Sequence, residues 1–527
     1  MQVDIYIIFK THLDIGFTGF AEDIRQKYIN EYIPQAISLA YELKDSDTPF
    51  VWTTGSWIIY EALKTDDGRL AQAIRDGLIC WHGLPFTTHT EAMSEELMEY
   101  SLSLSKQLDE KFGKKTTAAK MSDVPGHTKG LVRFLSSAGI KLLHIGVNPA
   151  TPVPNVPDVF AWKCGSDSVV TMYNGGGYGD FFEFGDFGVY FAHTMDNCGP
   201  QDKSSVNEVY KYLKEKYPDA RLIAATLSDV ADLVVDCADK LPVVDKEIGD
   251  SWIHGIGTDP QKVSLYRALL RKLRQHKTGE YDLSDNLMLI PEHTWGMDIK
   301  TFFHNDTDYL LNDFIKVVGC QGYNDLEKSW QEQRNYVKLA AKVMNADLTD
   351  ECNVTIPDLT GYTILENEPR ADFEISYQLF DRTDYERYAR QYLQCHDEWA
   401  LWDFTKVGLT GYKGGIYTAK IVKVWSKDDK LIYKMQFDQE ITELCGLPYF
   451  FVEQSGNNIE FKWFGKKANR MPEAFWVKFK SLGSENWLLK KLGQWIDPAE
   501  SLCNPFLHSI WDSVKNETTE IVPNCSR

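Results

Sequence analysis

The sequence predicts an α/β fold that becomes all-β toward its C-terminus: a seven-stranded β/α barrel, a short helical domain and a C-terminal antiparallel β-sandwich. Three changes of pattern predict this order. Up to about residue 230, short apolar runs alternate with longer amphipathic stretches; the pattern is helical from 259 to 345, and short alternating runs follow after about 350. A chain of 527 residues is too long for one hydrophobic core. We therefore expect domains at 1–250, 251–348 and 349–527.

The barrel is predicted from apolar runs that are rich in β-branched and aromatic residues. The runs expected to be strands are residues 3–9, 50–54, 78–83, 118–122, 141–146, 169–173 and 222–226. Amphipathic stretches at 21–43 and 94–112 predict helices between them. Near-continuous apolar strands separated by helices are typical of a parallel sheet that is covered on both faces. This number of units favours a closed or nearly closed barrel, with an open doubly wound sheet as the alternative.

The helical domain and the sandwich are predicted from the spacing of apolar residues in each region. Asp259-Pro260 places a proline at a helix start, and residues 263–273 and 330–343 have helical apolar spacing. The later alternating runs are residues 417–425, 431–437, 449–453, 459–463 and 475–479, with turn residues between them. Short alternating strands separated by such turns indicate an antiparallel sandwich.

Charge and cysteine content exclude several classes of protein. The net charge of −20 argues against nucleic acid and anionic membranes as partners, because both would repel an acidic chain. No apolar run approaches the ~18 residues of a membrane span, and the N-terminus lacks the pattern of a signal peptide. The 10 cysteines are scattered without a Cys-x-x-Cys pair, which indicates reduced thiols. We therefore expect a cytoplasmic protein.

The first motif that indicates chemistry is His12-Leu13-Asp14, directly after the first predicted strand. On an extended backbone, residues two apart point to the same face, so the imidazole and the carboxylate can converge on one ion. Nitrogen with carboxylate oxygen suits zinc or a similar divalent metal. The alternative is a histidine that is simply hydrogen-bonded to a neighbouring carboxylate.

A second motif, with Asp123 in Ser-Asp-Val-Pro-Gly-His-Thr, follows the fourth predicted strand. Functional side chains of β/α barrels gather at the C-terminal ends of the strands, where both motifs fall. An aspartate before Pro-Gly is also ordinary turn chemistry. Two such motifs at equivalent ends of different strands favour a site.

Further candidates lie beyond these two motifs. Asp229 follows the seventh predicted strand and offers a second carboxylate, with helix N-capping as the alternative role. His293 lies in the helical region beside Trp295 and a glycine, where a satisfied buried histidine is the alternative. The loops 174–180 and 193–201 are polar or glycine-rich enough to shape a sugar pocket, although either can equally be a plain surface loop.

The ordered motifs resemble glycoside hydrolase family 38, the zinc-dependent retaining α-mannosidases, and especially divergent, shortened members. The resemblance covers roughly residues 3 to 300 and rests on HLDIGFT at His12, SDVPGHT at Asp123, SWIHGIGTDP at 251–260 and the later His293. Two departures stand out. The residue after His293 is Thr rather than Asp, and the family's Gly-Asp-Asp-Phe element reads Leu-Ser-Asp-Val at Asp229.

The resemblance implies a mechanism and a set of site residues. One zinc ion would be held by His12, Asp14, Asp123 and His293. Asp123 would be the nucleophile and Asp229 the acid/base, because a retaining glycosidase pairs an ionised carboxylate with a carboxyl of raised pKa. The expected substrate contacts are Glu91, His127, Trp252, His254 and Trp295. The family also implies a carbohydrate substrate and a homo-oligomer.

Two alternatives remain beside the glycosidase hypothesis. A metal-dependent carbohydrate deacetylase also uses aspartate and histidine ligands on a β/α barrel, with a metal-bound water as the attacking group. A non-catalytic sugar-binding relative would keep the fold without the reaction. The identity of the sugar stays open, because the departures from the family pattern cluster at the site motifs.

Overall fold

The computed structural model describes residues 3–248, 252, 259–275, 285–303, 307–349, 355–366, 371–479, 486–502 and 511–523. Within these ranges the chain forms an α/β part, a helical segment and several antiparallel sheets. None of the helices in this part of the chain has the length and the apolar character needed to cross a membrane.

The α/β part alternates strands with helices. Its strands are β1 (Asp4–Thr11), β2 (Trp52–Gly55), β3 (Ile79–His82), β4 (Ala118–Asp123), β5 (Leu142–Val147), β6 (Val159–Cys164), β7 (Asp167–Asn174), β8 (Phe181–Glu183), β9 (Phe187–Thr194), β10 (Arg221–Ala224) and β11 (Val243–Val244). Its helices are α1 (Ala21–Lys27), α2 (Ile33–Leu43), α3 (Ser56–Ala62), α4 (Arg69–Arg75), α5 (Glu95–Phe112), α6 (Leu131–Ser137), α7 (Lys203–Lys216) and α8 (Leu227–Val235). A π-helical turn, Tyr28–Tyr32, joins α1 to α2, and short 3₁₀ turns lie at Thr90–Ala92 and Ala238–Lys240. Every predicted run overlaps a strand, but β6, β8, β9 and β11 were not predicted.

The described strands of this part form two sheets rather than the single seven-stranded barrel expected from the sequence. One sheet has the order β3-β2-β1-β9-β8 with β10 also paired to β1, and the other has the order β11-β6-β7-β5-β4. Most pairings are parallel; β6–β7 and β8–β9 are antiparallel hairpins. The backbone N–H of Gly83 donates to the carbonyl of Ala118 at 2.9 Å, which brings β3 beside β4.

The two sheets share one apolar interior. Ile8 of β1 packs with Ala118, Leu142 and Val170 from the other sheet and with Phe191 of β9. Alternate residues of a strand face opposite sides, so the intervening residues of β1 pack outward against the helices. The same alternation directs the residues that follow Ile8 on this face, at positions 10 and 12, into the space between the sheets.

Helix α8 closes one end of this interior. Leu227, Val230 and Val234 belong to the same apolar cluster as Ile8. The hydroxyl of Ser228 accepts a hydrogen bond from the backbone N–H of Thr117 at 3.1 Å, at the point where β4 begins. Helix α8 therefore lies under the N-terminal ends of the strands.

The helical segment runs from residue 259 to 349 among the described residues. Its helices are α9 (Pro260–Gln275), α10 (Asp285–Leu289), α11 (Ile299–Phe302), α12 (Leu311–Val317) and α13 (Gln321–Val343). Helix α9 begins after Asp259, whose carboxylate accepts from the backbone N–H of Lys262 at 3.0 Å. Apolar residues of α9, α10 and α13 join the outer core of the α/β part, so the segment packs against that part directly.

The C-terminal part contains antiparallel sheets, as the alternating runs predict. Its strands are β12 (Thr363–Ile364), β13 (Phe373–Leu379), β14 (Gly415–Thr418), β15 (Lys420–Lys427), β16 (Lys430–Gln436), β17 (Phe450–Ser455), β18 (Asn458–Trp463), β19 (Glu473–Phe479), β20 (Leu488–Lys491), β21 (Gln494–Ile496), β22 (Val514–Lys515) and β23 (Glu520–Ile521). Its helices are α14 (Arg382–Tyr392), α15 (Glu398–Phe404) and α16 (Gln439–Cys445), with a 3₁₀ turn at Pro498–Glu500. The sheets β12-β15-β16-β17-β18 and β14-β13-β19 enclose a common apolar core.

The last sheet, β21-β20-β22-β23, contacts the α/β part instead of that core. Leu492, at 0% exposure, belongs to the outer core of the α/β part. The ammonium of Lys491 lies 3.0 Å from the Glu91 carboxylate and 3.1 Å from the Glu247 carboxylate, and all three side chains are buried. This sheet therefore attaches to the α/β part both through an apolar side chain and through a buried cluster of charged ones.

Candidate metal centre and active site

Four loops bring polar side chains to one end of the strands. His12 and Asp14 follow β1, Asp123 ends β4, and Asp196 lies just after β9. His293 comes from the loop after α10, and its backbone N–H donates to the carbonyl of Thr87 at 3.3 Å. The loop that carries it also forms isolated β-bridges to the segments after β1 and β3. These contacts fix a residue from the helical segment above strands of the α/β part.

The predicted metal ligands converge. Asp14 Oδ1 lies 3.0 Å from Nε2 of His12 and 3.0 Å from Nε2 of His293. The two Nε2 atoms are 3.2 Å apart, and His293 Nε2 is 3.5 Å from Asp123 Oδ2. All four side chains are less than a tenth exposed, and Asp14 Oδ2 is buried without a hydrogen-bond partner. Two imidazole nitrogens facing two carboxylates form a donor set that fits a zinc ion.

The other nitrogen of each imidazole is also engaged. His12 Nδ1 lies 2.8 Å from the Ser122 hydroxyl, and His293 Nδ1 lies 2.6 Å from Glu292 Oε1. Such partners orient a histidine so that Nε2 faces the metal. Although burial lowers it, the pKa of His293 is raised well above its usual range by the carboxylates of Glu292 and Asp14. The centre therefore attracts positive charge.

Asp123 is held by its backbone and by two donors. Its φ of 78° is in the left-handed region, which costs about 1–3 kcal/mol for a residue other than glycine and is common at functional sites. Asn148 Nδ2 donates to Asp123 Oδ1 at 3.1 Å, and the Tyr178 hydroxyl is 2.7 Å from the same oxygen. Oδ2 remains directed toward His293. The carboxylate therefore has one oxygen for a metal and a second that is held separately.

A second carboxyl lies beside Asp123 and was not predicted from the sequence. The Tyr178 hydroxyl is 2.7 Å from Asp123 Oδ1 and 2.9 Å from Asp196 Oδ1, so these oxygens are less than about 6 Å apart. The Asp196 side chain is 36% exposed, which leaves it open to a substrate. Burial, together with the Asp14 carboxylate, raises the pKa of Asp196 to about 6. A carboxyl with these properties can hold a proton near neutral pH.

Asp229 does not reach this site. It caps α8, with its carboxylate accepting from the backbone N–H of Thr226 at 2.8 Å. The neighbouring Ser228 contacts the start of β4, whereas Asp123 is the last residue of that strand. A strand of this length spans ~20 Å, so Asp229 and Asp123 lie at opposite ends of the sheet. The role expected of Asp229 as the acid/base does not fit this position.

The expected sugar contacts divide into two groups. Glu91 is paired with Lys491, His127 is 0% exposed, and the Trp295 indole N–H donates to His89 Nε2 at 3.2 Å. These side chains are packed in the protein rather than facing an open site. The Trp252 ring does lie beside the metal centre, with its centroid 6.4 Å from the His293 ring. His254 lies outside the described residues.

The glycine-rich loop that carries Tyr178 approaches β5 closely. A Cβ atom on Gly146 would lie 2.4 Å from the Tyr178 carbonyl oxygen, so a glycine is required at that position of β5. This close approach lets the Tyr178 hydroxyl reach both carboxyls. The composition of the loop indicated a pocket, but no pattern in the sequence singled out Tyr178, Asn148 or Asp196.

Comparisons with known proteins find one family model and several solved structures of low identity. Residues 256–368 match a family model described only as a domain of unknown function, DUF5054. No curated protein matches the sequence. An α-mannosidase from Enterococcus faecalis V583 is similar in structure, with 11% identity, a TM-score of 0.44, and a match covering 93% of this chain and 58% of the other.

Two further solved structures are similar. A glycosyl hydrolase family 38 protein from Enterococcus faecalis has 10% identity and a TM-score of 0.38, with coverage of 99% of this chain and 57% of the other. The α-amylase AmyC from Thermotoga maritima has 10% identity and a TM-score of 0.37, with coverage of 66% and 93%. The chain thus spans less than two thirds of the length of the two Enterococcus proteins.

Proposed function

We propose that this protein is a retaining, zinc-dependent glycoside hydrolase of the α-mannosidase type. The observation that carries the proposal is the convergence of His12, Asp14, Asp123 and His293, with Asp196 less than about 6 Å from Asp123. Retaining glycosidases keep their two carboxyls about 5–5.5 Å apart, close enough for one to attack the anomeric carbon directly.

The residues present fit a bound zinc ion. His12, Asp14, Asp123 and His293 would hold it. Zinc bound there would supply a Lewis acid that holds sugar hydroxyls and stabilises negative charge on the neighbouring carboxylate. The buried and unpartnered Asp14 Oδ2 atom supports a cation at this position, since a buried carboxylate oxygen is costly without a partner.

In the first step, the Asp123 carboxylate attacks the anomeric carbon while Asp196 gives its proton to the leaving glycosidic oxygen. The Asp123 oxygen that accepts from Asn148 and faces Tyr178 is the one held clear of the metal ligands, so it is assigned as the attacking atom. In the second step, Asp196 takes a proton from water as that water displaces Asp123 from the sugar. Asp196 therefore replaces Asp229 as the proposed acid/base.

The proposal is tested with metal analysis and a panel of nitrophenyl α- and β-glycosides. We expect hydrolysis of one α-glycoside, α-mannoside first among them, that a chelator removes and zinc restores. An NMR time course should show the retained anomer as the first product. An inverted first product would exclude Asp123 as the nucleophile. Release of acetate from acetylated sugars without glycoside cleavage would favour the deacetylase alternative.

A further inference from the structure

Directly beneath the metal centre, buried basic side chains surround a small cavity. Lys10 on β1 and Lys120 on β4 each lie two residues before a residue of the site above, and each is no more than 5% exposed. With His82, Thr87 and Ser122, and with the apolar side chains of Leu13, Pro85 and Phe86, they line a small cavity of about 10 Å³. This is room for one water molecule or one monatomic ion.

The cavity has more hydrogen-bond donors than the protein uses. The Lys10 ammonium donates to the carbonyl of Thr11 at 3.0 Å. The Lys120 ammonium contacts His144 Nδ1 and the Tyr178 carbonyl, each at 2.6 Å. Since an ammonium has three N–H groups, these contacts leave two on Lys10 and one on Lys120. His82 Nδ1 is also buried without a hydrogen-bond partner.

The cavity also lacks a negative charge. Within the described part of the chain, no carboxylate forms an ion pair with Lys10 or Lys120 or affects the pKa of either group. Burial, with the nearby Lys10 ammonium, holds the pKa of Lys120 well below its usual range. Burial lowers the pKa of Lys10 as well, to about 7, because neither amine has a counter-charge. An anion between the two amines would offset the cost of burying their protonated forms.

We propose that the cavity between Lys10, Lys120 and Ser122 binds one monatomic anion of chloride size. The space is too small for a sulfate or a phosphate. The bound anion accepts from both ammonium groups and neutralises charge that the protein leaves unpaired. Chloride is the chemically expected occupant because it is a monovalent anion that fits a single-ion cavity.

The site connects to the metal centre through one hydroxyl, a step that rests on the proposed function. With Nε2 of His12 facing the metal, its Nδ1–H donates to the Ser122 oxygen at 2.8 Å. The Ser122 O–H is then left to donate into the cavity or toward the Thr87 hydroxyl, which is 3.5 Å away. An anion in the cavity accepts a hydrogen bond from that O–H and fixes the rotamer of Ser122. Ser122 is therefore a positioning residue between the anion and His12.

The test uses metal-free protein dialysed into sodium gluconate. With added sodium chloride at constant ionic strength, we expect Tm to rise by a constant increment for each tenfold increase in chloride above the dissociation constant. Lys120→Met should lose this dependence. Lys262→Met is the matched control: Lys262 is equally buried but contacts Gln333 and the Trp295 ring, so the chloride dependence should persist.

Crystals of the unaltered protein grown in bromide provide a readout that does not depend on variants. We expect one anomalous peak in the cavity, within hydrogen-bonding distance of Lys10 Nζ and Lys120 Nζ. A cavity without bromide signal, or a Tm equally insensitive to chloride and gluconate, overturns the proposal. Neither measurement involves a sugar or zinc. A protein that binds bromide but cleaves no glycoside would contradict the proposed function and leave the anion site standing.

Discussion

Replacing Asp196 with asparagine removes the proposed acid/base while keeping nearly the same shape. The asparagine oxygen can still accept from the Tyr178 hydroxyl, which lies 2.9 Å from Asp196 Oδ1, so the loop after β9 should keep its position. Positioned general acid–base catalysis contributes roughly 100-fold to 10,000-fold. We therefore expect kcat/KM for a poorly activated glycoside to fall by a factor in that range. This corresponds to about 3–5 kcal/mol of transition-state stabilisation.

The loss should depend on the leaving group. A nitrophenolate can depart without being protonated, whereas an alkoxide leaving group needs a proton. Asp196→Asn should therefore impair the hydrolysis of nitrophenyl glycosides far less than that of methyl glycosides or disaccharides. The matched control is Asp229→Asn, a capping residue at the far end of the sheet, which should leave kcat/KM within about twofold. Zinc content of both variants is measured first, to exclude loss of the metal. The assignment fails if Asp229→Asn abolishes the reaction, or if Asp196→Asn loses no activity with the poor leaving group.

Three further predictions address the stability and the organisation of the site. Lys491→Met removes the ammonium that is buried between Glu91 and Glu247 and should lower the free energy of unfolding by about 3–5 kcal/mol; urea denaturation measures this, and a loss no larger than that of an exposed lysine variant would contradict it. Glu292→Gln weakens the orientation of His293, a proposed zinc ligand, and should reduce zinc affinity by about 10- to 100-fold in competition titrations; unchanged affinity would exclude that role. Tyr178→Phe removes a hydroxyl shared by two carboxyls and should lower kcat/KM by about tenfold, with zinc affinity unchanged; a fall in zinc affinity instead would indicate a role in holding the metal.

The part of the site predicted from the sequence depends on short-range geometry. His12 and Asp14 are two residues apart on extended backbone, so their convergence follows from strand periodicity alone. Asp123 ends a strand of the same kind, and its placement beside them requires only that both strands run parallel and end together. His293 is different, because the residue types matched but nothing in the local pattern indicated which loop would carry it back to the sheet.

The sequence did not predict the positions of Asp196 and Asp229 correctly, and the reason lies in β9 and β10, the strands that precede them. β9 was not recognised because Gly188 interrupts its apolar run and because it forms a hairpin with β8 rather than following a helix. β10 was recognised, but it pairs only with the first half of β1, from Asp4 to Ile7. The chain after β10 therefore turns beneath the strands instead of above them. The loops that follow β9 and β10 thus lie at different levels of the fold.

Lys10 and Lys120 are a feature of the sequence that indicates a second polar layer inside the fold. Lys10 and Lys120 each lie in a strand whose other residues are mostly apolar and mostly buried. A lysine at such a position cannot be explained by packing, because its charge has to be neutralised or paired inside the fold. Each precedes by two residues a polar residue of the layer above, His12 or Ser122, so both layers face the same interior. The strand alternation that brings the predicted ligands together therefore also places Lys10 and Lys120, which have no counter-charge, one layer below them. The anion proposed there would stabilise that layer.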